Sequence, residues 1–341
     1  MRVLITGANG QLGHDLLDAF SGIVPTAGIR CSLLGDIGVP GDRLSGSIGH
    51  DVLGTDVDTM PVEDRTAVMS VFDEFQPDIV VHAGALTAVD LCESEIDLAF
   101  QVNAIGTRNI AEAASMCGAH MLYVSTDYVF DGTSKVPYRE WDAPNPKSVY
   151  GRSKLAGELE CRPGSTIVRT SWVCGAHGSN MVKTALSLAS KAGSTSKVDT
   201  PSESSESSES SENSDLDCMV DLAPLYFVDD QYGSPTFTPD LAPAIVTLAC
   251  DKRPGIFHVT NQGSTTWFGF VRAVLAEAGY DPNRVQPIAT SELDPPRPAQ
   301  RPANSVLDNM ALRLSGLPLL PDWNDSLRRL LAILHPSPNG R

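Results

Sequence analysis

Hydrophobic residues along the chain fall into short runs that alternate with amphipathic stretches. Residues 2–6 (RVLIT) form a brief apolar run that enters a Gly-rich turn, and residues 11–20 then show helical spacing of Leu, Ala and Phe. That is the pattern of strand, tight loop and helix. Residues 78–82 (DIVVH), 120–125 (HMLYVS) and 165–170 (STIVRT) predict further buried strands, and 95–117 predicts a helical segment between the first two. Strands alternating with helices predict an α/β, Rossmann-type doubly wound parallel sheet. Beyond about residue 175 the pattern changes to a short strand at 256–260, helices near 267–278 and 324–334, and Pro-rich turns. The expected organisation is a dinucleotide-binding domain over 1–175 and a smaller α+β substrate lobe over 176–341.

Two stretches interrupt this pattern. Residues 22–49 are Gly-rich without periodicity and read as an insertion. Residues from about 190 to 222 contain SESSESSESSE, and 199–217 hold seven acids and no base. Such a segment has too little apolar surface to offset chain entropy, so a disordered acidic loop is expected.

Composition narrows the class. The 341 residues are 42% hydrophobic and 20% charged, with a formal charge of −17. The acidity disfavours nucleic acid, whose phosphates require clustered Lys and Arg. No apolar run reaches the roughly 18 residues of a membrane span. The N-terminal MRVLITGANG reads as a first strand, not a secretory leader. The seven cysteines are scattered without CxxC spacing, which points to a reducing cytoplasm and no zinc site.

Gly7, Gly10 and Gly13 lie in TGANGQLG, after a strand and at the opening of a helix. Glycines there permit a tight turn and close approach of a pyrophosphate, and the helix N-terminus offers free N–H groups. An acid after the second strand is expected at the adenosine ribose. Asp36 and Asp56 both qualify, and Asp56 leaves the better-proportioned link to the next helix and strand.

Proton-transfer chemistry is concentrated further on. STDYVFDG (125–132) follows a strand, and YGRSK (150–154) places Tyr150 and Lys154 four apart, on one helical face. A phenol ordinarily titrates near 10, and an adjacent ammonium favours the phenolate. Tyr150 is then the expected proton donor to a carbonyl oxygen, with Lys154 on the nicotinamide ribose and Thr126 holding the substrate oxygen. His82 and His258, in apolar strands, read as core histidines.

GANGQLG, HAGALTAVDLCESE, STDYVFDG, YGRSKLAGE, RTSWVCG, DDQYGSPTFTPDLA, HVTNQGSTTW and RPANSVLDN occur in the order found in dTDP-4-dehydrorhamnose reductases, a family of extended short-chain dehydrogenase/reductases. The chain resembles that family over nearly its whole length outside 22–49 and about 190–222. The resemblance implies reduction of a dTDP-linked 4-keto-6-deoxy sugar by NADPH or NADH in a cytoplasmic enzyme, with no membrane partner and a homodimer as the expected assembly. It implies that Gly10, Gln11 and Leu12 line the dinucleotide and that Ala83, Gly84 and Ala85 pass beneath it. It places Thr87, Asp127, Tyr128 and Trp172 at the sugar nucleotide, and Arg301 and Asn304 at the dTDP part.

The sequence departs from the family pattern at Cys174, Met181 and around Pro61. No metal is expected. The alternatives are a 4,6-dehydratase or 4-epimerase, which typically carries an acid where Tyr128 stands, and a non-catalytic relative like the regulatory β subunit of methionine adenosyltransferase.

Overall fold

A computed structural model describes residues 1–22, 50–191 and 223–335. The expected insertion at 22–49, with Asp36, and the acidic loop fall almost entirely outside the described residues.

The first half alternates as the periodicity predicts. It contains β1 (Arg2–Thr6), α1 (Gln11–Phe20), β2 (Asp51–Thr55), α2 (Arg65–Phe75) and β3 (Ile79–His82). Next come α3 (Val89–Ser94), α4 (Ile96–Phe100), α5 (Thr107–Cys117), β4 (His120–Thr126), α6 (Val149–Glu160) and β5 (Thr166–Thr170). The second half contains β6 (Val173–Cys174), α7 (Met181–Lys191), β7 (Leu225–Val228), β8 (Tyr232–Gly233), β9 (Thr236–Phe237), α8 (Thr238–Cys250) and β10 (Gly255–His258). It ends with β11 (Thr265–Thr266), α9 (Trp267–Glu277), β12 (Val285–Ile288), α10 (Met310–Leu314) and α11 (Trp323–Leu334).

Six strands form one parallel sheet in the order β10-β5-β4-β3-β1-β2. The strand alternation sorts side chains to its two faces. Val3 and Ile5 pack with Leu16 of α1 and Leu241, Ile245 and Leu248 of α8, while Leu4 joins Val68, Phe72 and Ile110 of α2 and α5 on the other side. The chain leaves β1 for β2 on one side and returns to β3 on the other. The C-terminal ends of β1 and β3 therefore flank a topological switch point, where open α/β sheets bind ligands.

Two sequence expectations are altered. The boundary at 175 is crossed, because α8 and β10 belong to the first unit: β10 covers the edge of β5, and α8 packs beside α1. The lobe beyond it has its own core, built from Val182, Phe270, Val274, Trp323 and Leu327. The 95–117 segment is not one uniform helix, since a π-helical segment (Gln101–Gly106) separates α4 from α5. Asn103 within it spends its amide on the Leu86 backbone and on Ser153 Oγ, and such widened turns recur at functional sites. Among the described residues no helix is long and apolar enough to cross a membrane.

Candidate active site

The turn after β1 is built on a residue that must be glycine. Gly7 has φ +70°, and a Cβ there would stand 2.8 Å from Gly84 Cα at the end of β3. The two crossing loops thus touch backbone to backbone at the switch point. Gly10 precedes α1 without a side-chain cap, so the first-turn N–H groups of α1 receive no capping side chain and open on the cleft. Gln11 Oε1 is turned across to the second lobe, where it accepts from Gly175 N at 3.1 Å and Asn180 Nδ2 at 2.9 Å. Asp56, after β2, accepts from Asn9 N at 2.9 Å and Val57 N at 2.8 Å.

The proton-transfer residues come from β4 and α6. Helix α6 starts where Ser148 Oγ accepts from Gly151 N and Glu93 Oε1 accepts from Val149 N. These two bonds fix the first turn, which carries Tyr150. Gly151 lets that turn lie directly on the Tyr128 carbonyl, where any Cβ would clash. The ring of Tyr128 meets that of Tyr150 edge to face, 5.6 Å between centroids. Thr126 ends β4, with its hydroxyl donating to Asp127 Oδ1 at 3.0 Å and facing the Tyr150 phenol. Ser171 Oγ donates to the other Asp127 oxygen at 2.9 Å.

Burial dominates the electrostatics. It raises Asp127 to about 6 against hydrogen bonds from Ser305, Ser171 and Thr126. It lowers Lys154 to about 7, opposed mainly by Glu158. The expected acidification of Tyr150 is not what the structure contains. Burial, with Asp127 adding to it, holds the phenol well above its usual value, opposed by a hydrogen bond with Thr126. Lys154 Nζ instead donates to Val124 O at 2.8 Å and lies over the Tyr123 ring. The amine is thus aimed at β4, and desolvation is the largest influence on the phenol.

One cleft of about 600 Å³ brings together Gly7, Gly10, Gln11, Leu12, Gly13, Asp56, Ala83, Gly84, Ala85, Thr87, Thr126, Asp127, Tyr128, Tyr150, Lys154 and Trp172. Arg301 and Asn304 are not on its wall. Arg301 grips Asp90 with two bonds, at 3.0 and 2.7 Å, and lines a separate hollow of about 300 Å³. Asn304 Nδ2 donates to Ser134 O at 2.8 Å and its Oδ1 accepts from Val306 N, so its amide fastens loops together. Cys174 is a core residue whose thiol is pushed up to about 12 by burial.

The sequence reading missed Trp267, which stacks flat on Trp172 with centroids 3.6 Å apart and lines the cleft. The signal was its place at the end of HVTNQGSTTW, but a Trp opening an amphipathic helix reads equally well as core. Ser171 and Asn103 were missed too, because hydroxyl and amide residues carry no periodic signature.

The model of the RmlD substrate binding domain family matches residues 1–200 and 213–335. The spore coat polysaccharide biosynthesis protein SpsK of Bacillus subtilis is 36% identical over 97% of this chain and 96% of its own length. A dTDP-4-dehydrorhamnose reductase of Streptomyces griseus is 36% identical over 96% of this chain and 91% of its own. The crystal structure of dTDP-4-dehydrorhamnose reductase from Bacillus anthracis in complex with NADP superposes with a TM-score of 0.77, at 32% identity, over 97% of this chain and 99% of that one. By sequence and by fold, this chain belongs to the RmlD substrate binding domain family.

Proposed function

We propose that this chain is an NAD(P)H-dependent dTDP-4-dehydrorhamnose reductase that converts the C4 ketone of dTDP-4-dehydro-6-deoxy-L-mannose to the alcohol of dTDP-L-rhamnose. The observation that carries this reading is the convergence of Tyr150, Lys154 and Thr126 with the Gly7–Gly13 loop in one cleft at the sheet switch point.

The residues present fit a dinucleotide. The backbone contact of Gly7 with Gly84 clears the floor beneath a pyrophosphate, and α1 directs N–H groups and a positive dipole end at it. Asp56, between the main cleft and a second hollow, would accept from the adenosine ribose hydroxyls. That hollow of about 340 Å³, with walls of Met60, Val62, Leu98 and Val102, suits a flat apolar base. A reduced nicotinamide held in the main cleft, beside Tyr150 and Thr126, would supply the hydride for the keto carbon.

The chain's own residues do the rest. Tyr150 delivers the proton to the keto oxygen, which Thr126 also holds. Lys154 holds the ribose and places positive charge near the phenol as it loses its proton. Thr126 has one hydroxyl hydrogen, which in this state goes to Asp127 Oδ1, so holding the keto oxygen requires that hydrogen to turn from Asp127 to the substrate. Tyr128 and the Trp172–Trp267 stack form the apolar wall against which the deoxy-sugar lies. Arg301, at the neighbouring hollow, and Asn304 support the loops on which the dTDP part rests. The reading extends to a cytoplasmic homodimer, for which exposed Ile96 and Ile105 supply apolar surface.

The test is an assay of purified protein with the 4-keto sugar nucleotide and each reduced cofactor. Stoichiometric loss of NAD(P)H absorbance with formation of dTDP-L-rhamnose is expected. Turnover of the sugar with no net consumption of reductant would overturn the reading in favour of an epimerase or dehydratase.

A further inference from the structure

Beneath the cleft lies an ion pair that the proton-transfer chemistry does not use. Glu158 stands one helical turn beyond Lys154 on α6, and its carboxylate is fully engaged. Oε1 accepts from Ser125 Oγ at 2.6 Å and Arg169 Nε at 2.9 Å, and Oε2 accepts from Arg169 Nη2 at 2.7 Å. The two charged side chains are 4% and 2% exposed. A buried pair of this kind adds little net stability over well-packed apolar residues. Its position is what distinguishes it, since Ser125 immediately precedes Thr126 and Arg169 immediately precedes Thr170 at the strand ends that floor the cleft.

The surroundings of Lys154 leave one source of negative charge. Glu158 faces it from its own helix, Cys161 from the residue that follows that helix, Tyr123 from β4 and His82 from β3. Burial keeps three of them neutral at pH 7: Cys161 is pushed up to about 12, Tyr123 is raised well above its usual value and His82 is pushed down to about 3. Arg169, on β5, is bound to Glu158. Among the described residues around the amine, Glu158 is therefore the anion that opposes loss of its proton.

We propose that Glu158 is a positioning residue of the reductase: its carboxylate opposes loss of the proton from the buried Lys154 amine and, through Ser125, holds Thr126 at the cleft floor. This rests on the reductase reading for its kinetic consequence, but not for its electrostatic one. A neutral Gln at 158 would remove the carboxylate that opposes discharge of the Lys154 amine.

The experiment follows the Lys154 amine by ¹³C NMR of protein labelled at lysine Cε, its signal assigned by loss in Lys154→Met. In Glu158→Gln the amine is expected to titrate about one pH unit or more below the parent. The alkaline limb of the kcat/KM profile moves with it, leaving about a tenth of parental kcat/KM at pH 8. Glu158→Asp keeps the charge and titrates within about half a unit of the parent, even where stability falls. If Glu158→Gln yields no folded protein, Glu158→Gln with Arg169→Met removes both charges together, and its amine is still expected to titrate below the parent. A parental titration in either neutral variant, or an equal shift in Glu158→Asp, overturns the proposal. A parent enzyme that consumes no NAD(P)H overturns the reductase reading instead, and the titration still judges Glu158.

Discussion

Lys154 Nζ lies 4.1 Å from the centroid of the Tyr123 ring. Its proton is donated to Val124 O, so in this state the amine is braced against β4 and not against Tyr150, its partner in the sequence motif. The ring face offsets part of the cost of burying the cation. The four-residue spacing puts both groups on one side of α6, as the sequence implies, but does not by itself lower the phenol. Positive charge near Tyr150 becomes valuable only as the phenol loses its proton, which is when electrostatic stabilisation lowers a barrier.

Tyr150 and Lys154 should consequently fail in different ways. Tyr150→Phe removes the donated proton and little else, so kcat should fall by about 10²–10⁴-fold with KM for the cofactor within a few-fold. Lys154→Met would also remove the proposed ribose contact, so KM for the cofactor should rise while kcat falls. Steady-state kinetics with each substrate varied separate the two outcomes. Comparable full-rate turnover by Tyr150→Phe would remove it from the proton-donor role.

Trp267 is the clearest test of a residue found only in the structure. It lies flat on Trp172, which itself sits at φ +45°, and together they form one wall of the cleft. Trp267→Ala should leave Trp172 unsupported and raise KM for the sugar nucleotide about tenfold, in line with a stacking contribution of about 0.5–1.5 kcal/mol. The kcat and the cofactor KM should stay within about threefold. An unchanged sugar KM would assign the stack to lobe packing alone.

Much of this architecture was legible because it obeys local rules. β1, α1 and α6 announce themselves by apolar period, and Gly7 by the positive φ that a tight turn requires. What escaped was decided by long-range packing. β10 pairs with β5 between residues 89 apart in sequence, and no local pattern tells a sixth sheet strand from a strand of a separate lobe. Asn103 reads as an ordinary helical residue until Leu86 is beside it. The raised Tyr150 phenol likewise reflects how deeply the fold encloses the cleft, a quantity that motif spacing does not encode.

His82 and His258 give the stability a defined pH dependence. Both are fully buried, and burial lowers each from 6.5 to about 3, with Lys154 adding to the effect at His82 and Arg169 at His258. Between those values the unfolded chain binds protons that the folded chain refuses, so stability is fully present above pH 6.5 and is lost as pH falls toward 3. Each group contributes a slope of at most ~1.4 kcal/mol per pH unit in that window. His82→Gln, which disturbs bonds to Thr6 and Thr107, should be less stable at pH 7.5 by about 1–3 kcal/mol, yet lose less between pH 6.5 and 4. Urea unfolding at these pH values measures both; a slope equal to the parent's would show that His82 does not carry the effect.

Gly7→Ala tests the switch point itself. The substitution meets the Gly84 backbone at 2.8 Å and forces a left-handed conformation on a residue with a Cβ. The loops after β1 and β3 must then separate, at a cost of about 2–4 kcal/mol of stability. Because the same contact clears the cofactor floor, affinity for NAD(P)H should fall at least tenfold even in the fraction that remains folded, read by fluorescence titration at low temperature. Normal affinity with reduced melting temperature would confine Gly7 to a structural role.

Asp56 tests cofactor choice. Its two oxygens already accept from Asn9 N and Val57 N, which ties the glycine loop to the end of β2 and fixes the carboxylate between the main cleft and the apolar hollow. A carboxylate held there can accept a hydrogen bond from a free ribose 2′-hydroxyl and repels a 2′-phosphate. Asp56→Asn keeps one oxygen acceptor and the size of the side chain but removes the charge. The ratio of kcat/KM for NADPH to that for NADH should rise about tenfold, mostly through KM, because roughly 1.4 kcal/mol of like-charge repulsion disappears from one cofactor only. Adding salt should shrink the difference between parent and variant, since screening weakens a partly exposed repulsion. If Asp56→Asn lowers activity equally with both cofactors and the ratio stays fixed, Asp56 serves only to join the two loops, and discrimination resides elsewhere around the ribose.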